Sequence, residues 1–229
     1  MFLLGPIGIP YGNIPRVVLL FLCSEAIRTK SREINLGNNL STFLRELGLY
    51  SSGGQKGDIT RFKEQMKRLV ASKIQFQYSG RNSEAGFDAS IAKKYFFFWD
   101  DDPEQSTLFD NKIVLDADFY EEITSSRIPI HLGVITALKS SSFALDLYSW
   151  LTYRVSYLEE PATITWKELE QQVGADYSDP NNFRKRAISV LAQIKMVWVG
   201  LEYEKVRGGF ILKPCDPSVP PTLRKRLSS

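Results

Sequence analysis

Asn181 to Val197 reads NNFRKRAISVLAQIKMV, and Trp198 to Lys213 continues WVGLEYEKVRGGFILK. Phe183, Ala187, Val190, Leu191 and Ile194 recur at helical spacing, which gives the first stretch one apolar face. Its outer side carries Arg184, Lys185, Arg186 and Lys195 with Asn181, Asn182, Ser189 and Gln193, and there is no acid from Asn181 to Met196. The second stretch holds two β-type runs around Gly208-Gly209, the pattern of a hairpin with a tight two-glycine turn. A basic helix followed directly by a hairpin is the distal half of a winged helix.

The sequence upstream supplies the proximal half. SSFALDLYSWLTYRVSYL (Ser141 to Leu158) predicts a long amphipathic helix and ATITW a short strand. Thr165 with Glu168 predicts a capping box for WKELEQQVG, and Tyr177 to Pro180 a turn. The same order stands earlier in the chain. A helix after Pro15 runs to about Lys30, REINL is extended, and Asn38 or Asn39 caps LSTFLREL, which Gly48 stops. ITRFKEQMKRLVAS follows as a helix with Ile59, Phe62, Met66, Leu69 and Val70 inward and Arg61, Lys63, Gln65, Lys67 and Arg68 outward. KIQFQYSG and KKYFFFW then read as a hairpin with a long tip. A shift of 121 positions superposes Phe62, Leu69, Val70 and Ala71 on Phe183, Val190, Leu191 and Ala192. The expectation is an α+β chain of two tandem winged-helix domains, each a three-helix helix-turn-helix core with a β-hairpin wing. The first spans 1–125 and includes an acidic connector at 100–125, with a short helix around Asp116 to Ser125. The second spans 126–214, and 215–229 is a flexible basic tail ending in LRKRL.

Charge points the same way. From Asp100 to Glu122 there are nine acids and one lysine, a net −8, so the rest of the chain carries +11 within an overall +3. A basic body predicts a polyanionic partner. Arg and Lys pair with guanine O6 and N7, Asn and Gln with adenine N6 and N7. The candidate DNA-binding residues are therefore Asn181, Asn182, Arg184, Lys185, Arg186 and Ser189 on the later helix. On the earlier helix they are Gln55, Lys56, Arg61, Gln65 and Arg68. Lys205 and Arg207 on the later wing are expected to touch phosphate, which positions the protein without specifying sequence. Arg81 and the Lys93-Lys94 pair play that part in the first wing. The plain alternative for each helix is a solvated basic face, and for the first unit a surface that meets another protomer.

The catalytic repertoire is thin. His131 is the only histidine, and Cys23 and Cys215 are the only cysteines, so there is no histidine pair, CxxC or disulfide framework. The cysteine usage suits a reducing cytosol. Neither GxxxxGK[ST] nor GxGxxG is present. Asp100, Asp101 and Asp102 could hold Mg²⁺, but three adjacent acids at a strand end are more often a solvated loop. Tyr95 to Trp99 could stack single-stranded bases, with packing against a core the simpler role. His131, in the apolar context IPIHLGV, reads as a packed or capping residue. The longest apolar run, VVLLFLC, is too short to span a bilayer. A cytoplasmic non-enzyme without cofactor or metal is expected.

IGIPYGNIPR (Ile7 to Arg16), SEAIRTKSREINLG (Ser24 to Gly37), FLRELGL (Phe43 to Leu49), SGGQKGDITRFKEQMKRL (Ser52 to Leu69) and ALDLYSWLTYR (Ala144 to Arg154) resemble the plasmid-encoded RepA replication initiators. The likeness runs in order from about Ile7 to Pro214. It implies a tandem winged-helix protein that binds directly repeated duplex sites at a plasmid origin, helps open them and recruits the host initiator and replicative helicase. It also implies a monomer–dimer equilibrium in which dimers repress their own gene, and a segment preceding the first matching motif. By position, the helix Asn181 to Met196 would be the principal reader and Ile59 to Ala71 the second. A transcriptional regulator of the same fold and a winged-helix protein-interaction module are the rival readings.

Overall fold

A computed structural model describes residues 7–49, 55–79, 84–99, 105–126, 130–174 and 179–219. The fold is mixed α/β with small antiparallel sheets, and the chain divides into two compact units, Met1–Arg127 and Ile128–Ser229.

The first unit begins with α1 (Asn13–Thr29), β1 (Glu33–Asn35), α2 (Leu40–Glu46) and α3 (Gln55–Val70). Pro15 sits in the first turn of α1, where its missing N–H costs nothing, and Lys30 closes the helix in the left-handed region. Asn39 caps α2 by accepting from the Thr42 amide at 2.8 Å. Gly48, at φ +66°, turns the chain out of it. Val18, Leu22, Phe43, Phe62 and Met66 are almost wholly buried between these helices. Phe21, Phe43 and Phe62 meet edge-to-face in series, with centroids 5.5 and 6.1 Å apart. Such pairs add about 0.5–1.5 kcal/mol each beyond the area they bury.

After α3 the structure departs from expectation. KIQFQYS forms β2 (Lys73–Ser79), but its partner is β3 (Glu84–Ser90), with Phe76 opposite Phe87 and their rings stacked at 4.9 Å. The KKYFFFW run instead supplies β4 (Ala92–Phe96), which pairs with β5 (Lys112–Leu115). β5 lies between β1 and β4, with Ile113 and Leu115 fully buried. The stretch expected as a connector thus contributes the centre strand of a sheet, and the short helix expected within it is α4 (Ala117–Ser126). The acidic composition of 100–122 hid the alternation of KIVL, whose Ile113 and Leu115 face the core while Lys112 pairs outward with Glu33 at 2.8 Å.

The second unit opens with a helix that was not expected, α5 (Leu132–Leu138), and from there follows its predicted order closely: α6 (Ser142–Ser156), β6 (Ala162–Thr165), α7 (Trp166–Gln172), α8 (Pro180–Val197), β7 (Tyr203–Val206) and β8 (Gly209–Leu212). The sheet order is β6-β8-β7. The Thr165–Glu168 capping box is complete in both directions. The hairpin turn is Arg207-Gly208, with Gly208 at φ +88°, because Gly209 is already paired in β8 opposite Val206 and Thr165. Gly174 follows α7 at φ +60°, as Gly48 follows α2.

His131 caps α5, its Nδ1 accepting from the Gly133 amide at 3.1 Å, while its own amide donates to the Tyr148 hydroxyl. That hydroxyl also meets Ser218 Oγ at 2.8 Å, and the Trp198 indole donates to the Asp216 carbonyl at 3.0 Å. With Val219 buried, residues 215–219 are docked on this unit and do not begin a free tail. The LRKRL segment lies outside the described residues.

Candidate nucleic-acid interface

α8 is held in register from both ends. Asp179 accepts from the Asn181 amide at 2.9 Å and Pro180 occupies the first turn, so the helix starts sharply. Phe183, Ala187, Val190, Leu191 and Ile194 are all essentially inaccessible. That burial fixes the opposite side, where Asn181, Asn182, Arg184, Lys185, Arg186 and Ser189 are exposed. Arg186 Nη2 reaches Ser141 Oγ at 2.9 Å, tying its guanidinium to the residue that caps α6. Lys195 is directed elsewhere: its ammonium donates to the Val199 and Leu201 carbonyls at 2.8 and 2.5 Å and closes the helix C-terminus. Lys205 on β7 and Arg207 at the hairpin turn are exposed. The second unit thus combines an acid-free outer helix face with a basic hairpin tip.

The first unit is arranged differently. Gln55 and Lys56 lie in the first turn of α3, and their side chains fall outside the described residues. Arg61 and Lys67 are exposed and Lys63 half-buried. Gln65, expected to face outward, is 0% exposed, and its Oε1 accepts from the Tyr11 amide at 2.8 Å. Arg68 is half-buried and engaged three ways, with Glu64, with the Ile9 carbonyl at 3.3 Å and with the Tyr11 ring, whose centroid lies 5.2 Å from its guanidinium carbon. The cause is the segment Ile7–Gly12, which runs along this side of α3. Helical periodicity reports which residues turn away from the core. It cannot report that another stretch of chain lies over them.

The offset of 121 puts the two helices on one scale. Arg61, Gln65 and Arg68 correspond to Asn182, Arg186 and Ser189, so the side that is open on α8 is the side overlaid on α3. Lys67, read as outward but not counted among the candidate DNA-binding residues, is the exposed cation on the part of α3 that stays open. Its signal in the sequence was only its place one turn after Lys63.

The other candidates separate cleanly. Arg81 and the acids Asp100, Asp101 and Asp102 lie outside the described residues. Among the described residues no three His, Cys, Asp or Glu side chains cluster as metal ligands would. Lys93 and Lys94 stand on β4 and not at a hairpin tip. The aromatic run splits by exposure. Phe97 stacks on Trp99 at 4.4 Å, and Trp99 packs on Phe62 at 5.5 Å. Tyr95, Phe96 and Phe98 are exposed, with Phe98 against Phe109. The half-buried pair is what core packing predicts, and the exposed rings are those that the base-stacking reading would use. No described helix is long and apolar enough to cross a membrane.

The family model described as "Plasmid encoded RepA protein" matches residues 9–168. The chain belongs to that family. The match covers α1 to β6 and enters α7, so it spans the first unit and the front of the second. Among solved structures, a crystal structure of RctB domains 2–3 is similar at 12% identity. It covers 94% of this chain and 84% of that one, with a TM-score of 0.55. A selenomethionine form of RctB domains 2 and 3 is similar at 11% identity, covering 90% and 82%, with a TM-score of 0.54. At such identities the likeness is one of fold, and it extends over both units. No curated protein matches the sequence.

Proposed function

We propose that this member of the plasmid-encoded RepA family is a replication initiator that binds repeated duplex sites at its origin in a sequence-specific way, each unit serving as a winged helix. The observation that carries this reading is the outer face of α8, where Asn181, Asn182, Arg184, Lys185 and Arg186 stand exposed without an acid beside a hairpin bearing Lys205 and Arg207. In the second unit, the order helix, strand, helix, helix, hairpin and the sheet order β6-β8-β7 support the winged-helix assignment. A major groove about 12 Å wide admits such a helix, and the donors on its first turns are those that distinguish base pairs. The chemistry is binding alone, so no side chain is assigned a catalytic role. Family membership supports the origin as target, and with it exchange between a monomer that initiates, engaging the host initiator and helicase, and a dimer that represses its own gene.

Selection of duplexes from a random library at physiological salt tests the reading. An enriched site of roughly 20 base pairs, two successive major-groove faces, is expected if both units read DNA. Lys185→Ala with Arg186→Ala is expected to abolish preference for that site while the fold persists, because neither side chain belongs to the Phe183/Val190/Ile194 face. No enrichment with the wild-type chain would overturn the proposal in favour of a protein-interaction role.

A further inference from the structure

Ile7–Gly12 is an extended segment delimited by two glycines in the left-handed region, Gly8 at φ +80° and Gly12 at φ +79°. It runs antiparallel to α3. A Cβ placed on Gly8 would lie 3.1 Å from Arg68 Nη1, and one on Gly12 would lie 3.2 Å from Arg61 Nη2. Between these points the Tyr11 amide seals Gln65, and the Tyr11 ring and the Ile9 carbonyl hold Arg68. The segment buries little of itself: Ile9 is 83% exposed and Tyr11 51%. It is therefore held by a few polar contacts and one cation–π contact, with no apolar anchor in the core.

Those contacts leave α3 partly unsatisfied. Gln65 Nε2 and Arg68 Nε are buried with no hydrogen-bond partner among the described residues. Buried donors without acceptors are unfavourable, so the seated state carries a penalty that exchange for an external acceptor would remove. Gln and Arg are also the side chains that make bidentate pairs with adenine and guanine edges.

We infer that Ile7–Gly12 is a removable cover over the first reading helix: seated, it withholds Gln65 and Arg68, and lifted, it releases both to duplex DNA. This rests on the DNA-binding reading above. The released face would be Arg61, Gln65 and Arg68, the counterpart of Asn182, Arg186 and Ser189 on α8. The Glu64 contact of Arg68 is an i,i+4 surface pair and easily exchanged. The seated chain would engage DNA chiefly through its second unit, and the lifted chain through both.

The test uses the duplex selected by the wild-type chain, with affinities of the full chain measured at one salt concentration. Tyr11→Ala removes the ring over Arg68 and leaves every reading side chain in place. It is expected to tighten binding about tenfold, the scale on which a mostly closed population becomes mostly open. Amide exchange at residues 9–12, measured without DNA, is expected to accelerate in the same variant. Arg68→Ala lifts the cover but removes a reader, so it is expected to bind more weakly than Tyr11→Ala, and the double variant to match Arg68→Ala. Unchanged exchange in Tyr11→Ala would show that the ring does not hold the segment and would overturn the inference. So would unchanged or weaker binding, or a double variant that keeps the full gain. A chain with no selected site at all would fail the DNA-binding reading instead, and the exchange data would still report the state of the segment.

Discussion

Gly209 lies so close to the strand beside it that a Cβ built there would stand 2.0 Å from the Ile164 carbonyl oxygen. The two residues belong to neighbouring pairs of the β6–β8 ladder, where Gly209 faces Thr165 and Phe210 faces Ile164. The second of the two hairpin glycines is thus required by a neighbouring backbone, whereas Gly208 is required by its own φ of +88°, with open space around it.

The two substitutions should behave differently. Gly209→Ala must push backbone against backbone and is expected to destabilise the second unit by about 3 kcal/mol, the upper range for forced overpacking. Gly208→Ala is expected to cost about 1–2 kcal/mol, the strain of a left-handed alanine. Urea denaturation of both variants checks the order. Equal losses would mean that the β6–β8 approach relaxes freely.

The capping box at α7 predicts a pH effect. Hydrogen bonds from the Thr165 backbone amide and side chain hold the Glu168 carboxyl below its ordinary value of 4.5. A carboxylate whose folded-state pKa is depressed contributes stability that is present above its unfolded pKa and is lost as pH falls through the folded one. Stability is therefore expected to decline below about pH 4.5 with a contribution from Glu168, and Glu168→Gln to flatten that part of the profile. Thr165→Ala should cost about 1 kcal/mol at neutral pH, as loss of an N-cap does.

Asn111 is fully buried and spans two segments. Its Nδ2 donates to the Gly37 carbonyl at 2.8 Å, and its Oδ1 accepts from the Phe98 amide at 2.7 Å. Asn111→Ala strips both and leaves the Phe98 amide without its partner, while the Gly37 carbonyl keeps the Asn111 backbone amide at 2.8 Å, so the expected loss is that of one unpaired buried group, about 1–3 kcal/mol. Amide exchange at Phe98 should rise well above that of its neighbours. A variant as stable as the wild type would mean that water replaces the side chain there.

Burial pushes the Cys23 thiol up to about 12, and that of Cys215 rises for the same reason. With so little thiolate present near pH 8, Cys23 is expected to resist iodoacetamide in the folded chain and to react readily in urea. Rapid native labelling of Cys23, which is half-buried, would show that its thiol ionises more readily than its surroundings imply.

The second unit was legible in the sequence because each of its signals is local. A capping box, an apolar stripe and a glycine turn are written within a few residues of the structure they cause. The first unit was less so because two of its relations are distant. β5 joins a sheet whose edge β1 is contributed by residues far upstream, and Gln65 is sealed by Tyr11, 54 positions away. No periodicity within α3 encodes that second contact, although the IGIPYG string that provides it was conspicuous. The exposed face of α8 followed directly from the burial of Phe183, Val190 and Ile194.

The placement of β5 also bears on how the chain acquires its structure. The Lys112–Glu33 pair beside β1 joins residues 79 positions apart, so the centre of that sheet is the last strand of its unit to leave the ribosome. Until then β1 and β4 have no common partner, and their backbone groups are open to other chains. The second unit closes its hairpin locally, across Arg207-Gly208. Contacts of long sequence separation slow folding. The N-terminal unit, although made first, is therefore the one that waits, and it is the part of a nascent chain that a chaperone would have most reason to hold.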